Sequence, residues 1–389
     1  MSTLIAGYAR TPFAKFGGAF RDVPATVLGA HAVTAALADA GVSPDTVDFV
    51  IAGQVLQAAA GQNPARQTAV AAGIPMSTPA ITVNAVCLSG MEAIVSGHRM
   101  IAAGEADVVV AVGQESMSLA PHALTGSRTG TKFGPATLVD TLEFDGLTDA
   151  FQRRSMGAST EEFAERQRLT REEQDEFAAA SHRRLADAHE VVAGEIAPFT
   201  TTGRAPTTLS ADDGVRADTT PETLGRLRPA FREGGTITAG NSSQLTDGAA
   251  AVVLVSDAFA ARGGLRPIAR IVSHAFVSGP DVSLLAQPAS AITAALSRSE
   301  FETADLAAVE INEAFAAVGI QSTRLLGVAD EIVNANGGAI ALGHPIGASG
   351  ARIVGHLARR LAALGPGSAG AAGICGGGGQ GLAVVLESV

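Results

Sequence analysis

Two cysteines and one histidine stand beside small-residue turns at the ends of apolar runs. Cys87 follows ITVNAV and precedes SGMEAIVSGHRM, so we expect it at a strand end that faces the N-terminus of a helix. His344 lies in GGAIALGHPIGASG, and Cys375 begins CGGGGQG. Two thiols and an imidazole suit covalent acyl transfer, with one sulfur as nucleophile, the imidazole to activate it and the second sulfur as base.

The predicted position of Cys87 favours an ionised thiol. Unpaired N–H groups and the helix dipole stabilise a thiolate, and the same amides can donate to an oxyanion on an attached acyl group. The alternative is a small buried hydrophobe, because free cysteines are commonly buried and inert. A lone histidine such as His344 is also more often structural. What favours chemistry is the company of Asn312, which follows the strand-like AAVEI, and of the bare backbone after Cys375.

Other classes of site fit these residues less well. No C-x-x-C or H-E-x-x-H spacing supports a metal site, so we expect none. A literal G-x-G-x-x-G occurs at Gly376, Gly378 and Gly381, but the following LAVVLESV reads as a strand and no acidic partner occurs about 20 residues further on. We therefore expect no dinucleotide fold.

The amino-acid composition indicates which classes of binding partner and which cellular compartment to expect. The 389 residues carry a formal charge of -11, with 27 Lys and Arg against 38 Asp and Glu, so nucleic acid is not an expected partner. Two cysteines are too few for a disulfide framework, and no export signal is visible, which favours the cytoplasm. The stretch 361–386 has no charge but nine glycines, so we expect no membrane span.

Alternating β-rich and helical runs predict α/β layering. Strands are expected over 47–56, 106–112 and 248–255, helices over 25–40 and 89–103, and a second α/β unit from Arg266. Between 116 and 240 charges concentrate in helical spacing, as in STEEFAERQRLTREEQDEF, which predicts an inserted, partly helical lobe. We interpret pairs such as Glu162 and Arg166 as a solvated helix face without chemistry.

The two ends of the chain echo each other. VNAVCLSGMEAIVSGHRMIAAGEADVVVAVG and VNANGGAIALGHPIGASGARIVGHLARRLAALG share an order of strand, small-residue turn and helix. Duplicated α/β halves would explain this texture.

At these residues the sequence resembles the thiolases, closest to the short-chain acetyl-CoA acetyltransferases. The resemblance covers nearly the whole chain. Its motifs are NAVCLSGMEAI, INEAFA, GGAIALGHPIGASG and CGGGGQG, in order and at family spacing, with DGLTDAF and TAGNSSQLTDGAAAV in addition.

The resemblance implies a duplicated, five-layered αβαβα sandwich with an inserted loop domain. We expect an N-terminal half over 1–118 that is completed by 241–265, an inserted lid over 119–240 that covers a coenzyme A tunnel, and a C-terminal half over 266–389. It also implies a homotetramer built as a dimer of dimers.

The implied activity is acyl-CoA C-acyltransfer: two acetyl-CoA condense to acetoacetyl-CoA, or 3-ketoacyl-CoA is cleaved by CoA. Acyl-CoA and CoA are then substrates and products, fatty acid metabolism is the setting, and no cofactor is permanently bound. By resemblance Cys87 takes the acyl group, His344 activates it and Cys375 removes the α-proton of the second acyl-CoA. His344 and a water held by Asn312 would serve one developing oxyanion, and the backbone N–H groups of Cys87 and Gly377 the other.

Matching positions also imply contacts with the substrate: Met156, Arg216, Phe231, Ser243, Ala314 and Phe315. The chain departs from the family pattern at Ser155, where a histidine is expected, at Gln244, where a glycine is usual, and over 283–290.

Two alternative functions remain open at this point. One is a decarboxylating ketosynthase, which needs no base such as Cys375, and the other is a non-catalytic CoA- or lipid-binding protein.

Overall fold

The computed structural model describes residues 2–202 and 205–389. The first part of the chain forms, in order, β1 (Thr3–Arg10), β2 (Ala14–Lys15), α1 (Ala25–Ala40), β3 (Phe49–Gly53), α2 (Pro64–Ala71), β4 (Ala80–Val83), α3 (Ser89–Ala102) and β5 (Val108–Glu115). The predicted helix over 25–40 is thus confirmed at both ends. It ends at Gly41, which adopts the left-handed conformation that glycine tolerates best.

The middle of the chain consists of short strands and helices. These are β6 (His122–Ala123), β7 (Val139–Asp140), a π-helical turn (Leu142–Leu147), α4 (Met156–Arg166), α5 (Arg171–Asp187), α6 (His189–Ala193), β8 (Phe199–Thr200), β9 (Thr208–Leu209) and α7 (Pro221–Leu224).

The remaining chain returns to long elements. They are β10 (Thr246–Ser256), α8 (Asp257–Gly263), β11 (Ala269–Ser278), α9 (Gln287–Leu296), β12 (Leu306–Ile311), α10 (Ala316–Leu326), α11 (Ala339–Leu342), α12 (Ser349–Leu364), β13 (Ala369–Gly376) and β14 (Gln380–Ser388).

Strand order confirms the predicted duplication. The first half runs β4-β3-β5-β10-β1, and the second runs β12-β13-β14-β11 in the corresponding order. The strands β3, β5, β10 and β1 correspond to β12, β13, β14 and β11. In each set the first two strands are parallel, and the later pairs are antiparallel. Even the edge strand β4 has a counterpart, a parallel bridge from Val333 to Val309. A short β1–β11 pairing joins the two halves.

Helices cover both faces of each half-sheet, so the sheet residues form continuous apolar runs such as VVVAV in β5. Helices α1 and α2 pack on the outer face of the first half, α9 packs on the outer face of the second, and α3 and α12 lie between the halves. The layers are therefore helix, sheet, helix, sheet and helix, as the resemblance implied.

The uncharged stretch 361–386 forms the end of α12 and the β13–β14 hairpin, within the large sheet. Among the helices of the described residues, none has both the length and the apolar character that crossing a bilayer requires.

The charged helices of the middle region are only partly a solvated face. Glu162 and Arg166 do form the expected ion pair one turn apart on α4. Asp175, however, is buried, where it accepts hydrogen bonds from Arg171 at 2.7 Å and Asn241 at 2.9 Å. Its carboxylate therefore ties α5 to the segment before β10. The solvated face predicted for pairs such as Glu162 and Arg166 therefore does not extend to Asp175.

Candidate active site

Cys87 lies in a tight turn between β4 and α3. The preceding Val86 has φ of +53°, a left-handed conformation that is unfavourable for a β-branched residue. The Ser89 hydroxyl holds this turn, since it accepts the Ala85 N–H at 2.9 Å and donates to the Val86 carbonyl at 2.6 Å. Asn84 accepts the Val86 N–H at 2.9 Å. The turn leaves Cys87 half-buried on a cavity wall.

Two glycines bring the N-termini of α3 and α12 together. A Cβ atom on Gly90 would lie 2.7 Å from the Gly347 carbonyl oxygen, and one on Gly350 would lie 2.4 Å from the Met91 nitrogen. Only glycine allows so close an approach of two backbones. The turn of Cys87 directly precedes α3, and the loop of His344 directly precedes α12. The close contact of the two helix N-termini therefore places both residues at the same cavity.

The hydrogen bonds of His344 define its tautomer. The Ser349 hydroxyl donates to the Pro345 carbonyl at 3.2 Å, so its oxygen accepts from His344 Nδ1, 2.6 Å away. The proton then resides on Nδ1. The Nε2 atom has no hydrogen-bond partner among the described residues and keeps its lone pair.

His344 is neutral in this environment. Burial and the nearby positive charge of Arg352 lower the pKa of His344 to about 4. A neutral imidazole with a free Nε2 lone pair is the form that accepts a proton.

Burial favours the neutral form of the Cys87 thiol and so opposes the effect that its position before a helix predicts. Burial raises the pKa of Cys87 to about 12, and the negative charge of Glu115 acts in the same direction. The backbone N–H groups of Cys87 and Gly377 oppose this shift without overcoming it. The helix N-terminus therefore supplies donors, but a base must remove the proton.

Cys375 is the second-last residue of β13, where it pairs with Gly381, and it is buried against the same cavity. Burial holds the pKa of Cys375 above its ordinary value, and a thiolate on Cys87 would raise that pKa further. Gly378 and Gly379 follow with φ of +80° and +68° and close the hairpin to β14. The G-x-G-x-x-G pattern is thus a β-turn rather than the start of a helix, in agreement with our exclusion of a dinucleotide fold.

One cavity of about 540 Å³ brings the predicted residues together. Its wall contains Cys87, His344, Cys375 and Gly377, and it also contains all the residues expected to contact the substrate: Met156, Arg216, Phe231, Ser243, Ala314 and Phe315. Most of the remaining wall is apolar and includes Met117, Leu147, Leu284 and Ile346. Their placement on one wall is compatible with the expected roles, which stay predictions.

Asn312 lies apart from the cavity wall. It directly follows β12, and its N–H donates to the Gly373 carbonyl at 3.1 Å. Its side chain is fully buried, and neither the amide oxygen nor the amide nitrogen has a partner in the described parts of the chain. A buried amide in this position calls for a polar partner. The predicted water-holding role of Asn312 remains a prediction.

Glu313 makes buried hydrogen bonds that the sequence did not predict. Its buried carboxylate accepts from Ser181 at 2.6 Å, Asn334 at 2.8 Å and the Ile340 N–H at 3.1 Å, and burial raises its pKa. A Cβ on Gly338 would lie 2.3 Å from the carboxyl carbon. Glu313 thereby fixes α5 and the start of the histidine segment to each other. The available signal was a charged residue two positions after an apolar strand.

Glu115 has a matching role at the end of β5. It accepts the N–H groups of Val55 at 3.0 Å, Leu56 at 3.1 Å and Gly347 at 2.9 Å. Burial raises the pKa of Glu115 to about 7 despite these donors. The carboxyl group connects the first half to the loop of His344.

Buried charges fix the middle region on the core. Arg10 is fully buried and forms a two-pronged pair with Asp212, at 2.7 and 2.8 Å, and a longer contact with Glu195 at 3.4 Å. Glu195 also pairs with His356 of α12. Although burial alone would raise it, His356 and Arg10 hold the pKa of Glu195 at about 2. The carboxylate is therefore charged at neutral pH.

Ser155, the departure from the expected histidine, begins α4. Its hydroxyl accepts the Ala158 N–H at 3.2 Å, which satisfies one free donor of the first helical turn. Ser155 also contributes to the cavity wall. No group of three or more His, Cys, Asp or Glu side chains suited to a metal ion occurs within 2–202 and 205–389.

Comparison with known proteins identifies the family. The family model "Thiolase, N-terminal domain" matches residues 3–258, and "Thiolase, C-terminal domain" matches residues 265–388. A probable acetyl-CoA acetyltransferase of Mycobacterium leprae is 51% identical over 392 residues, which cover 100% of this chain and 99% of that protein.

Solved structures agree with this result. The acetyl-CoA acetyltransferase of Bacillus anthracis superposes with a TM-score of 0.96 at 38% identity, and human mitochondrial 3-ketoacyl-CoA thiolase with 0.95 at 39%. Each match covers 100% of this chain and 99% of the other. The chain therefore belongs to the thiolase family of acyltransferases, and the predicted fold and function class are confirmed.

Proposed function

We propose that this thiolase condenses two acetyl-CoA molecules to acetoacetyl-CoA and cleaves 3-ketoacyl-CoA with CoA in the reverse direction, through an acyl group on Cys87. The observation that carries the proposal is the meeting of Cys87, His344 and Cys375 on one cavity wall. The similar proteins of Mycobacterium leprae and Bacillus anthracis are named acetyl-CoA acetyltransferases, which supports acetyl-CoA as the acyl donor.

In the first step His344 Nε2 accepts the proton of the Cys87 thiol while the sulfur attacks the thioester carbonyl. The C–S bond to CoA breaks, and Cys375 donates its proton to the departing CoA thiolate. The backbone N–H groups of Cys87 and Gly377, which both act on the Cys87 sulfur, are suited to stabilise the carbonyl oxyanion. Each such donor contributes about 3 kcal/mol to transition-state stabilisation.

In the second step the Cys375 thiolate removes the α-proton of the incoming acetyl-CoA. The resulting carbanion attacks the acyl carbonyl, and the Cys87 thiolate leaves and recovers its proton from the His344 imidazolium. Both cysteines and the histidine thus return to their starting forms. Enolate stabilisation by His344 and a water on Asn312 is carried over from the family resemblance.

The substrate contacts, assembly and setting form the finer part of the proposal. We assign Arg216, Phe231, Ser243, Met156 and the Ala314–Phe315 pair to CoA and its thioester. We retain the division into 1–118 with 241–265, a lid at 119–240 and 266–389. A homotetramer, a cytoplasmic location and a role in fatty acid metabolism complete it.

Mass spectrometry of single variants tests the chemistry. Cys87→Ala should abolish transfer and lose the acyl mass increment after incubation with acetyl-CoA, whereas Cys375→Ala should still acylate but not condense. Thiolysis of a 3-ketoacyl-CoA series from C4 to C12 then measures the chain-length preference. Full turnover by Cys87→Ala would overturn the mechanism, and a requirement for malonyl-CoA in place of the second acetyl-CoA would favour the ketosynthase alternative.

A further inference from the structure

Gln244 is a departure from the usual family glycine, and it contacts the histidine loop twice. It lies just before β10 and forms part of the cavity wall. Its main-chain carbonyl accepts the His344 N–H at 2.9 Å. Its side-chain Nε2 lies 3.0 Å from the Gly214 oxygen, 3.2 Å from that of Ile340 and 3.4 Å from that of Ala341. All three partners accept, so the amide nitrogen must face them.

The second contact completes a short helix. Helix α11 has only four residues, and its last carbonyls lack the N–H groups of a following turn. In a continuing helix the His344 N–H would serve the Ile340 carbonyl, four residues earlier. That N–H instead donates to the Gln244 main chain, and the Gln244 side chain takes its place at Ile340. Gln244 thus accepts the His344 N–H with its main chain and donates to the Ile340 carbonyl with its side chain.

The hydrogen bond to the Gly214 carbonyl connects Gln244 to a segment that lines the cavity. Gly214 lies two residues before Arg216, which lines the same cavity. A Cβ on Gly214 would lie 2.8 Å from the Ala341 oxygen, so the two backbones are already in close contact. The Gln244 amide joins them through donors that a glycine at this position lacks.

We propose that Gln244 is a positioning residue for His344, which caps α11 with its side chain and thereby holds the imidazole in place while tying it to the Gly214 segment. The inference rests on the proposed role of His344 as the base for Cys87. A side chain that only filled space would tolerate an isosteric apolar residue. One that positions through its N–H groups requires a donor of similar length.

The test compares Gln244→Met, which keeps length but removes the donors, with Gln244→Lys, whose ammonium group restores them. The matched control is Gln67→Met, since Gln67 Nε2 donates to the carbonyls of Ala60 and Gln62, both at 2.9 Å, on an exposed surface. Single-turnover acylation of Cys87 by acetyl-CoA, kcat and KM are measured as functions of pH.

We expect Gln244→Met to slow acylation about tenfold or more, because small misplacement of a reacting group is costly. The loss should fall on kcat more than on KM, and Gln244→Lys should recover most of it, while Gln67→Met acylates at the wild-type rate. If Gln244→Met does not fold, Gln244→Leu provides the same comparison, because leucine also fills space without N–H donors.

The inference is overturned if Gln244→Met acylates normally, or if its defect lies only in KM and Gln244→Lys does not relieve it. Its failure is separable from failure of the proposed function through His344→Ala. If His344→Ala acylates slowly while Gln244→Met acylates at the wild-type rate, only the positioning role of Gln244 is refuted. A normal His344→Ala refutes the assigned base itself.

Discussion

The Nδ1 atom of His344 lies 2.6 Å from the hydroxyl oxygen of Ser349, the first residue of the helix that follows its loop. That hydroxyl directs its own proton to Pro345, so the imidazole presents a lone pair on Nε2. The Ser349 hydroxyl therefore determines which nitrogen of the His344 imidazole carries the proton.

Replacing Ser349 by alanine should lower the acylation rate of Cys87 about tenfold, less than His344→Ala, for which general-base loss predicts about 10² to 10⁴. The hydrogen bond that fixes the tautomer disappears, but the imidazole stays. Stopped-flow release of CoA measures the rate. A Ser349→Thr variant, which keeps the hydroxyl, is the control. Equal rates for the alanine and wild-type proteins would contradict the assignment.

The protonation states predict an unusual pH dependence of thiol alkylation. With the pKa of Cys87 near 12, iodoacetamide should label Cys87 faster with every rise in pH between about pH 5 and pH 9, without a plateau. A preformed thiolate and imidazolium pair would instead react at a constant rate over this range. The Cys375→Ala background restricts labelling to Cys87.

The same argument fixes the acid limb of acylation. Since His344 must be neutral to accept a proton and its pKa is lowered to about 4, acylation should fall only as the pH drops toward that value. An acid limb at the ordinary histidine pKa would show that burial does not control this group. Rapid-quench measurement of acyl-enzyme formation supplies the profile.

Breaking the buried pair of Arg10 and Asp212 should strongly destabilise the fold. Asp212→Ala leaves the fully buried guanidinium with Glu195, at 3.4 Å, as its one remaining carboxylate partner among the described residues, and we expect a loss of about 3 to 5 kcal/mol in the free energy of unfolding. Arg262→Ala, which breaks the exposed pair with Asp107, should cost less than about 1 kcal/mol. Urea unfolding of both variants measures the difference, and equal losses would contradict the burial argument.

Gly157 controls the cavity wall through Phe231. A Cβ at this position would lie 2.3 Å from the Phe231 ring, which packs edge-on against Phe315 at 6.1 Å. Gly157→Ala should displace the ring, raise KM for acetyl-CoA and cost about 1 to 3 kcal/mol in stability. Gly263→Ala, in a helix where the nearest atom is 3.5 Å away, is the control and should preserve both quantities. Steady-state kinetics and thermal unfolding decide the outcome.

Apolar runs and small-residue turns were sufficient to predict α/β layering and to single out Cys87, His344 and Cys375, because these features are local. The five layers and the substrate contacts followed from the family resemblance. Helix α1 begins and ends where its pattern predicts, and the two echoing segments occupy corresponding places in the duplicated sheet. The ionisation of Cys87 was not predictable in this way. Its position indicated donors, but the desolvation that outweighs them depends on walls contributed by distant segments.

Long-range polar contacts were the other part that the sequence concealed. Glu115 and Glu313 each follow an apolar strand, yet nothing local tells which N–H groups they accept. Likewise, the composition of α5 indicated a solvated helix, whereas Asp175 is buried against Asn241. Such partners are set by the packing of whole elements and not by neighbours in the chain.

The close crossing at Gly90 and Gly350 has a consequence for any attempt to divide this protein. Cys87 belongs to one half and His344 to the other, so under the proposed function neither half alone would hold both the nucleophile and its proton acceptor. A side chain at Gly90 or Gly350 would force the two helix N-termini apart, and with them the loops that carry these two groups.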